Sequence, residues 1–302
     1  MAKKIPAFGY TGQYRTQSDD NYWYILLLTS GTLTFSYAKS AIDVACVGGG
    51  GSSACHLQYG NDAGGSGGGG GGVAVGAAAV AAGQGYAVNI GAGGAVPAVW
   101  NPGNDGGATT ALGVSAEGGK GAGTMGWKES GTPGAAGAGG LGTGGTGGSK
   151  NGQLPTAGAE GKDIFGLGQY GGGGGGGGPC WKVAGANGGA GGGGAGGTGG
   201  YPGVDGTDGN AGAANTGGGA GGPGGGYADS DSRYNGKGGQ AAAGGSGIVI
   251  LRGTQDDLIP VVFNGVQLSA LYLNGVKITS LIYGGVQVFM RKLKRRRGAC
   301  FV

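Results

Sequence analysis

The chain has 302 residues, yet 89 of them are glycine and only 11 per cent are Asp, Glu, Lys or Arg. Three glycines precede Gly48 and six follow Gly247, leaving 80 in the 200 residues between, where Leu, Ile and Phe are rare; an aliphatic core cannot be assembled there, which argues against an enzyme domain. The formal charge of +4 comes from Arg291, Lys292, Lys294, Arg295, Arg296 and Arg297, since residues 1–290 carry 13 basic against 15 acidic groups, so the body is nearly neutral and no nucleic-acid partner is expected.

Residues 1–47 read as a β-strand scaffold. Stretches 8–14, 22–29, 32–37 and 41–47 are rich in β-branched and aromatic residues, with breaks at Ser18-Asp19-Asp20-Asn21 and Ser30-Gly31. No apolar leader follows Met1-Ala2-Lys3-Lys4, and the run 25–28 is too short to span a bilayer, so synthesis in a host cytoplasm is expected.

Residues 48–247 form the glycine-rich domain, with further strands expected at 72–80 and 86–90. Such a composition commonly marks a disordered linker. Here the low charge, the interspersed large side chains such as Trp100, Trp127, Trp181 and Tyr201, and the strand sequences on both sides point instead to a folded insert. Its glycines keep a three-residue register. Gly185, Gly188, Gly191, Gly194, Gly197, Gly200, Gly203, Gly206, Gly209 and Gly212 are successive, as are Gly131, Gly134, Gly137 and Gly140.

Three residues per turn is the period of an extended left-handed helix. Collagen shares the period but needs abundant proline, and the ten triplets hold only Pro202. Polyglycine II fits better. Its backbone N–H and C=O groups point outward and bond to neighbouring helices wherever no side chain blocks the approach. Stretches 67–72 and 171–178 would lie inside such a bundle, and the ten-triplet run outside it.

Residues 248–253 supply the closing strand of the scaffold, so the expected fold is all-β plus polyglycine II: an antiparallel β scaffold holding an inserted bundle, then a short β-repeat. That repeat spans 258–290, where Asn264-Gly265-Val266, Asn274-Gly275-Val276 and Gly284-Gly285-Val286 recur every ten residues as hairpin signals. It is too small to bury a core alone, so it would form a homotrimer or dock on a partner. Residues 291–302 are a basic tail.

Chemistry-bearing constellations are sparse. Cys46, Cys55, Cys180 and Cys300 show no CxxC spacing, and His56 is the single histidine; neither metal nor cofactor is implied. Asp205, Asp208, Asp229 and Asp231 do not match a calcium-loop motif. Stretches that interrupt the glycine run, 53–63, 125–133, 151–170, 179–183, 201–208 and 227–237, are where recognition would sit. Their aromatics, which suit ring stacking on a saccharide or protein, and one lysine give the candidate receptor-binding residues Trp127, Lys128, Tyr170, Trp181, Tyr201, Tyr227 and Tyr234.

On Phe8-Gly9-Tyr10-Thr11-Gly12, Leu28-Thr29-Ser30-Gly31-Thr32-Leu33, Ile42-Asp43-Val44, Val47-Gly48-Gly49-Gly50-Gly51, Ile90-Gly91-Ala92-Gly93-Gly94 and Gly245-Ser246-Gly247-Ile248-Val249-Ile250, the chain resembles the glycine-rich tail proteins of phages and prophages of gut Firmicutes. Its architecture is similar to the polyglycine II adhesins at the fibre tips of T-even-like phages. The resemblance implies a virion tail protein, a tail-tip or tail-fibre adhesin without enzymatic activity. Its partners would be a host cell-surface protein or glycan and other tail proteins. An ice-binding polyglycine II protein and a non-adhesive tail spacer are the alternatives.

Overall fold

The computed structural model describes residues 5–54, 63–123, 134, 137, 140–149, 152–227 and 236–255, together with paired strands within 261–290. Trp127, Lys128, Tyr234, His56, Cys55, Cys300, Asp229 and Asp231 lie outside the described residues. Two compact units divide the chain. One comprises residues 7–16 and 24–252, the other 1–6, 17–23 and 253–302.

The described residues are all-β and contain no α-helix. One five-stranded sheet has the order β1 (Phe8–Tyr10), β4 (Gly31–Phe35), β7 (Gly85–Asn89), β8 (Thr109–Ala111) and β9 (Val114–Ala116). The other has the order β2 (Tyr14–Ser18), β3 (Tyr22–Leu27), β12 (Ile248–Thr254), β5 (Lys39–Val47) and β6 (Val73–Val80). Pairing of β12 with β5 and of β5 with β6 is antiparallel, so the strand after the glycine region returns to the strand before it. Apolar side chains drive this arrangement. Val44, Val47, Leu33, Phe35, Ile248, Ile250 and Leu251 are fully buried.

Two local features depart from the sequence reading. Stretch 8–14 is not one strand, because β1 and β2 belong to different sheets. Gly12 sits between them, so close to the Thr29 and Ser30 carbonyls that a Cβ there would lie 2.8 Å from each oxygen. The hairpin of β8 and β9 was not expected at all. Its turn places Leu112 at φ 50° and Gly113 at φ 80°, the two positive values of a type I′ turn, but without the Asn-Gly pair that usually signals one.

In residues 261–290 the strands pair antiparallel as β13 (Val261–Phe263) with β14 (Val266–Leu268), β15 (Tyr272–Leu273) with β16 (Val276–Lys277), and β17 (Ser280–Tyr283) with β18 (Val286–Met290). The Asn-Gly and Gly-Gly pairs between them lie outside the described residues.

The glycine-rich segments continue the strands without a change of partner. Val47 pairs with Val73, and Gly48 and Gly51 then donate to Gly72 and Gly69. Likewise Ile248 pairs with Val47, and Gly50 and Ser53 donate to Gly245 and Ala242. Beyond the seam, however, bonds to a given neighbour recur every three residues rather than every two.

Consecutive N–H groups therefore reach different neighbours. In residues 48–53, Gly48 bonds to Gly72, Gly49 to Gly107 and Gly50 to Gly245, and the cycle repeats with Gly51, Ser52 and Ser53. The carbonyls of Gly49, Gly50 and Gly51 accept from Gly119, Gly94 and Ala220, which belong to three further segments. Each such segment is thus enclosed on all sides. Residues 48–54, 63–73, 171–180 and 217–227 are buried throughout.

Close approach explains the composition of these four segments. A Cβ on Gly174 would stand 1.8 Å from the Ala220 oxygen, and one on Gly50 2.0 Å from the Gly218 oxygen. Buried serines are tolerated where the hydroxyl replaces a backbone acceptor. Ser52 Oγ accepts the Asn104 N–H at 2.7 Å, and Ser53 Oγ accepts the Ala242 N–H at 2.9 Å.

The ten-triplet run lies outside these four segments, as three side-by-side stretches. Gly191 and Gly192, at φ 97° and 95°, and Gly203, at φ 71°, make its turns. Gly196 and Gly199 donate back to Ala186 and Val183, and Thr207 and Asn210 donate to Thr198 and Ala195.

Candidate functional site

The segments that leave the sheets finish together at their far ends. Gly64 donates to Gly148, Gly65 to Pro223, Gly177 to Gly65, Gly178 to Gly197, Gly200 to Gly225 and Gly225 to Gly178, which brings these residues to one level. The described connections at ends away from the sheets are 97–102, 179–183 and 201–204, with Ser149, Gly152 and Gln153 of a further one. Residues 55–62, 124–133 and 228–235, which include Trp127, Lys128 and Tyr234, link further segments in sequence and lie outside the described residues.

Large apolar side chains concentrate in or beside these connections. Of the ten exposed large hydrophobics among the described residues, seven (Val96, Val99, Trp100, Leu154, Trp181, Tyr201 and Val204) are found here. Trp100 and Trp181 sit in the left-handed region at φ 74° and 70°, a conformation non-glycine residues rarely adopt and which recurs in binding loops.

Three of the candidate aromatics come together. The Trp181 indole meets the Tyr227 ring edge-on with centroids 4.9 Å apart, and Tyr227 itself is buried. Lys182, also at positive φ, holds its ammonium 5.7 Å from the centre of the Tyr201 ring. Trp181 is 62% exposed, so Tyr227 props it while leaving most of its surface open.

Tyr170 is placed elsewhere. It lies in β11 (Gln169–Tyr170), paired with β10 (Lys162–Asp163), and the hairpin folds Ile164 into a cluster with Val47, Val73, Ile248 and Ile250. Tyr170 packs partly buried against that cluster, and burial followed by the Asp163 carboxylate pushes its phenol pKa up. Asp163 accepts the Gly166 and Gly168 N–H groups at 2.9 and 3.2 Å, while Arg252 stacks 4.1 Å over Phe165 and pairs with Asp43 at 2.7 Å.

The acidic residues at the edges act as hydrogen-bond acceptors for neighbouring segments. Asp205 takes the Lys237 N–H at 2.6 Å, Asp208 the Gln240 N–H at 2.7 Å and Asp105 the Gly121 N–H at 2.9 Å. Thr156 and Thr207 cap Thr146 and Thr198 in the same way. Burial acts to raise the Asp105 pKa, but the Lys120 ammonium at 2.8 Å and the Gly121 N–H outweigh it and hold the group below its ordinary value.

No group of three or more metal-ligating side chains occurs among the described residues. Cys46 is a core thiol whose pKa burial pushes up to about 12, with a backbone hydrogen bond at Ala111 recovering only part of the rise, so it is protonated and unreactive at neutral pH. Among the described residues no helix is long and apolar enough to cross a membrane.

Sequence reasoning missed 96–102, the connection that carries Val96, Val99 and Trp100. The signal was present in Val96-Pro97-Ala98-Val99-Trp100-Asn101-Pro102, an apolar, proline-bounded break in the glycine run.

No curated protein matches the chain. The family of the glycine-rich domain matches residues 28–254, from the end of β3 to the end of β12, which takes in the returning strand as well as the glycine segments. With that match over most of its length, the chain belongs to the glycine-rich domain family.

Proposed function

We propose that the chain is a virion structural protein, a tail-tip or tail-fibre adhesin whose glycine segments are polyglycine II helices and whose far-end loops meet a host cell-surface receptor. The three-residue step of the backbone bonds, with consecutive N–H groups reaching different neighbours, supports polyglycine II. The observation that carries the adhesin reading is the gathering of seven exposed large apolar side chains at one end of a backbone-bonded body. Exposed apolar surface of that kind marks interaction sites, and rigid support lowers the entropy lost on contact.

The role is binding rather than catalysis. The β-rich part would join other tail proteins, residues 258–290 would mediate trimer formation, and several copies per tail would add avidity. The test is binding of the purified chain to cells of gut Firmicutes, beside a variant carrying Trp100→Ser, Trp181→Ser and Tyr201→Ser. Loss of binding with an unchanged melting temperature supports the reading; binding equal to that of the parent chain contradicts it.

One observation favours ice binding as a second reading. Ala184, Asn187 and Ala190 form an exposed column of small residues at three-residue spacing. Inhibition of ice recrystallisation, lost in Ala184→Tyr, would support it over adhesion.

A further inference from the structure

The two five-stranded sheets end in four edges, β1, β9, β2 and β6. Short length and charge both discourage an edge from pairing with another chain, and β1 and β9 are three residues long while β2 carries Arg15. The remaining edge, β6, has eight residues, VAVGAAAV, with neither charge nor proline. Nothing in its sequence guards it.

The outer row of backbone groups on β6 follows from its pairing with β5. Val73 pairs with Val47 and Gly48 donates to Gly72, so by antiparallel alternation Ala74, Gly76 and Ala78 bond to β5, while Val75, Ala77 and Ala79 direct N–H and C=O away from it. Among the described residues none bonds to that outer row. The side chains of Val75, Ala77 and Ala79 are exposed, Val75 at 55%, whereas the opposite face is covered, a Cβ on Gly76 lying 2.9 Å from the Val114 side chain.

We infer that β6 pairs antiparallel with β6 of a second copy of this chain, about a two-fold axis at Ala77. Self-pairing sets Ala77 opposite Ala77 and Val75 opposite Ala79, side chains small enough to stand together on one face, and about six backbone bonds close the outer row of both copies. Charge does not oppose it. Asp43, beside Ala77 in the sheet, is paired with Arg252 at 2.7 Å, and Asp43 of the partner subunit would stand three strand spacings away, about 14 Å, beyond the Debye length of about 8 Å. A two-fold contact consumes the same edge of both copies, so association stops at a pair. Residues 63–72 lead directly into Val73, so the two glycine lattices leave the joined sheet in opposite directions. The inference depends neither on the adhesin reading nor on the trimer proposed for residues 258–290.

The test is amide hydrogen exchange on the full chain at high concentration and after dilution. The amides of Val75, Ala77 and Ala79 should exchange about tenfold or more slowly at high concentration, while those of Val249 and Ile250 stay unchanged and report that the sheet is intact. Ala77→Lys and Ala77→Glu should each lose the protection, because like charges then face each other across the axis, and an equimolar mixture of the two variants should recover it. Fast exchange of the three amides at every concentration, even where the chain associates through another surface, overturns the inference. Protection that survives in each variant alone, or that the mixture fails to restore, overturns it as well.

Discussion

The β-scaffold and the glycine lattice share neighbours but not the means of holding them. Across the Val47–Gly48 seam the partners continue in step, yet on one side Val47, Val73 and Ile248 fill the space between strands with side chains, and on the other the Gly48 N–H and carbonyl meet neighbouring backbones directly. The lesson is that one pairing pattern can be stabilised by apolar burial or by a backbone bond at almost every residue. The two solutions respond in opposite directions to a change in side-chain size.

The sharpest break in that comparison is an added methyl. Gly174→Ala would set a carbon 1.8 Å from the Ala220 oxygen, so a loss upward of about 3 kcal/mol is expected by denaturant unfolding. Ile250→Val removes a methyl from the fully buried core and should cost only about 0.5–1.5 kcal/mol. Equal effects at both sites would erase the distinction. Gly203, at φ 71° with open space around it, controls for backbone strain alone, and its alanine variant should lose about 1–2 kcal/mol.

A second group of variants compares buried with exposed acceptors. Ser53→Ala removes the oxygen that takes the buried Ala242 N–H and should cost about 1–3 kcal/mol. Thr207→Val removes the equivalent acceptor for Thr198 at the exposed edge, where water can substitute, and about 0.5–1 kcal/mol or less is expected. Thermal melts of both proteins check the order.

The smallest effect is electrostatic. The folded-state pKa of Asp105 is lowered, so its contribution is present above the unfolded carboxylate value of about 3.9 and is lost as the pH falls through the lower folded value. A Lys120→Met variant should therefore melt slightly below the parent at pH 7, and the gap should narrow on acidification and with added salt.

Much of this contrast could be read in the sequence. Valine, isoleucine and aromatic runs marked the strands, and stretches 67–72 and 171–178 were expected inside because a helix enclosed by others has no room for Cβ atoms. The turns were less legible. Gly191 and Gly192 fall inside a run whose three-residue register never lapses, so the sequence does not show that fold-back, whereas the one at Gly203 falls in the 201–208 interruption. Leu112 reached positive φ without a residue type that favours it. Tyr170, grouped with the recognition aromatics by composition, packs against the scaffold because Ile164 anchors its hairpin in the core, a tertiary contact with no local signature. At the far end the aromatics were visible, but Val96, Val99 and Leu154 were not singled out.

Amide hydrogen exchange tests the central claim most directly. If consecutive backbone groups each bond to a different neighbouring segment, the amides of residues 171–178, and those of 219–222, 224 and 225 on either side of Pro223, will exchange as slowly as those of Ile248, Val249 and Ile250. Exchange of those glycine amides at the rate of an unfolded chain, while the strand amides stay protected, would contradict it.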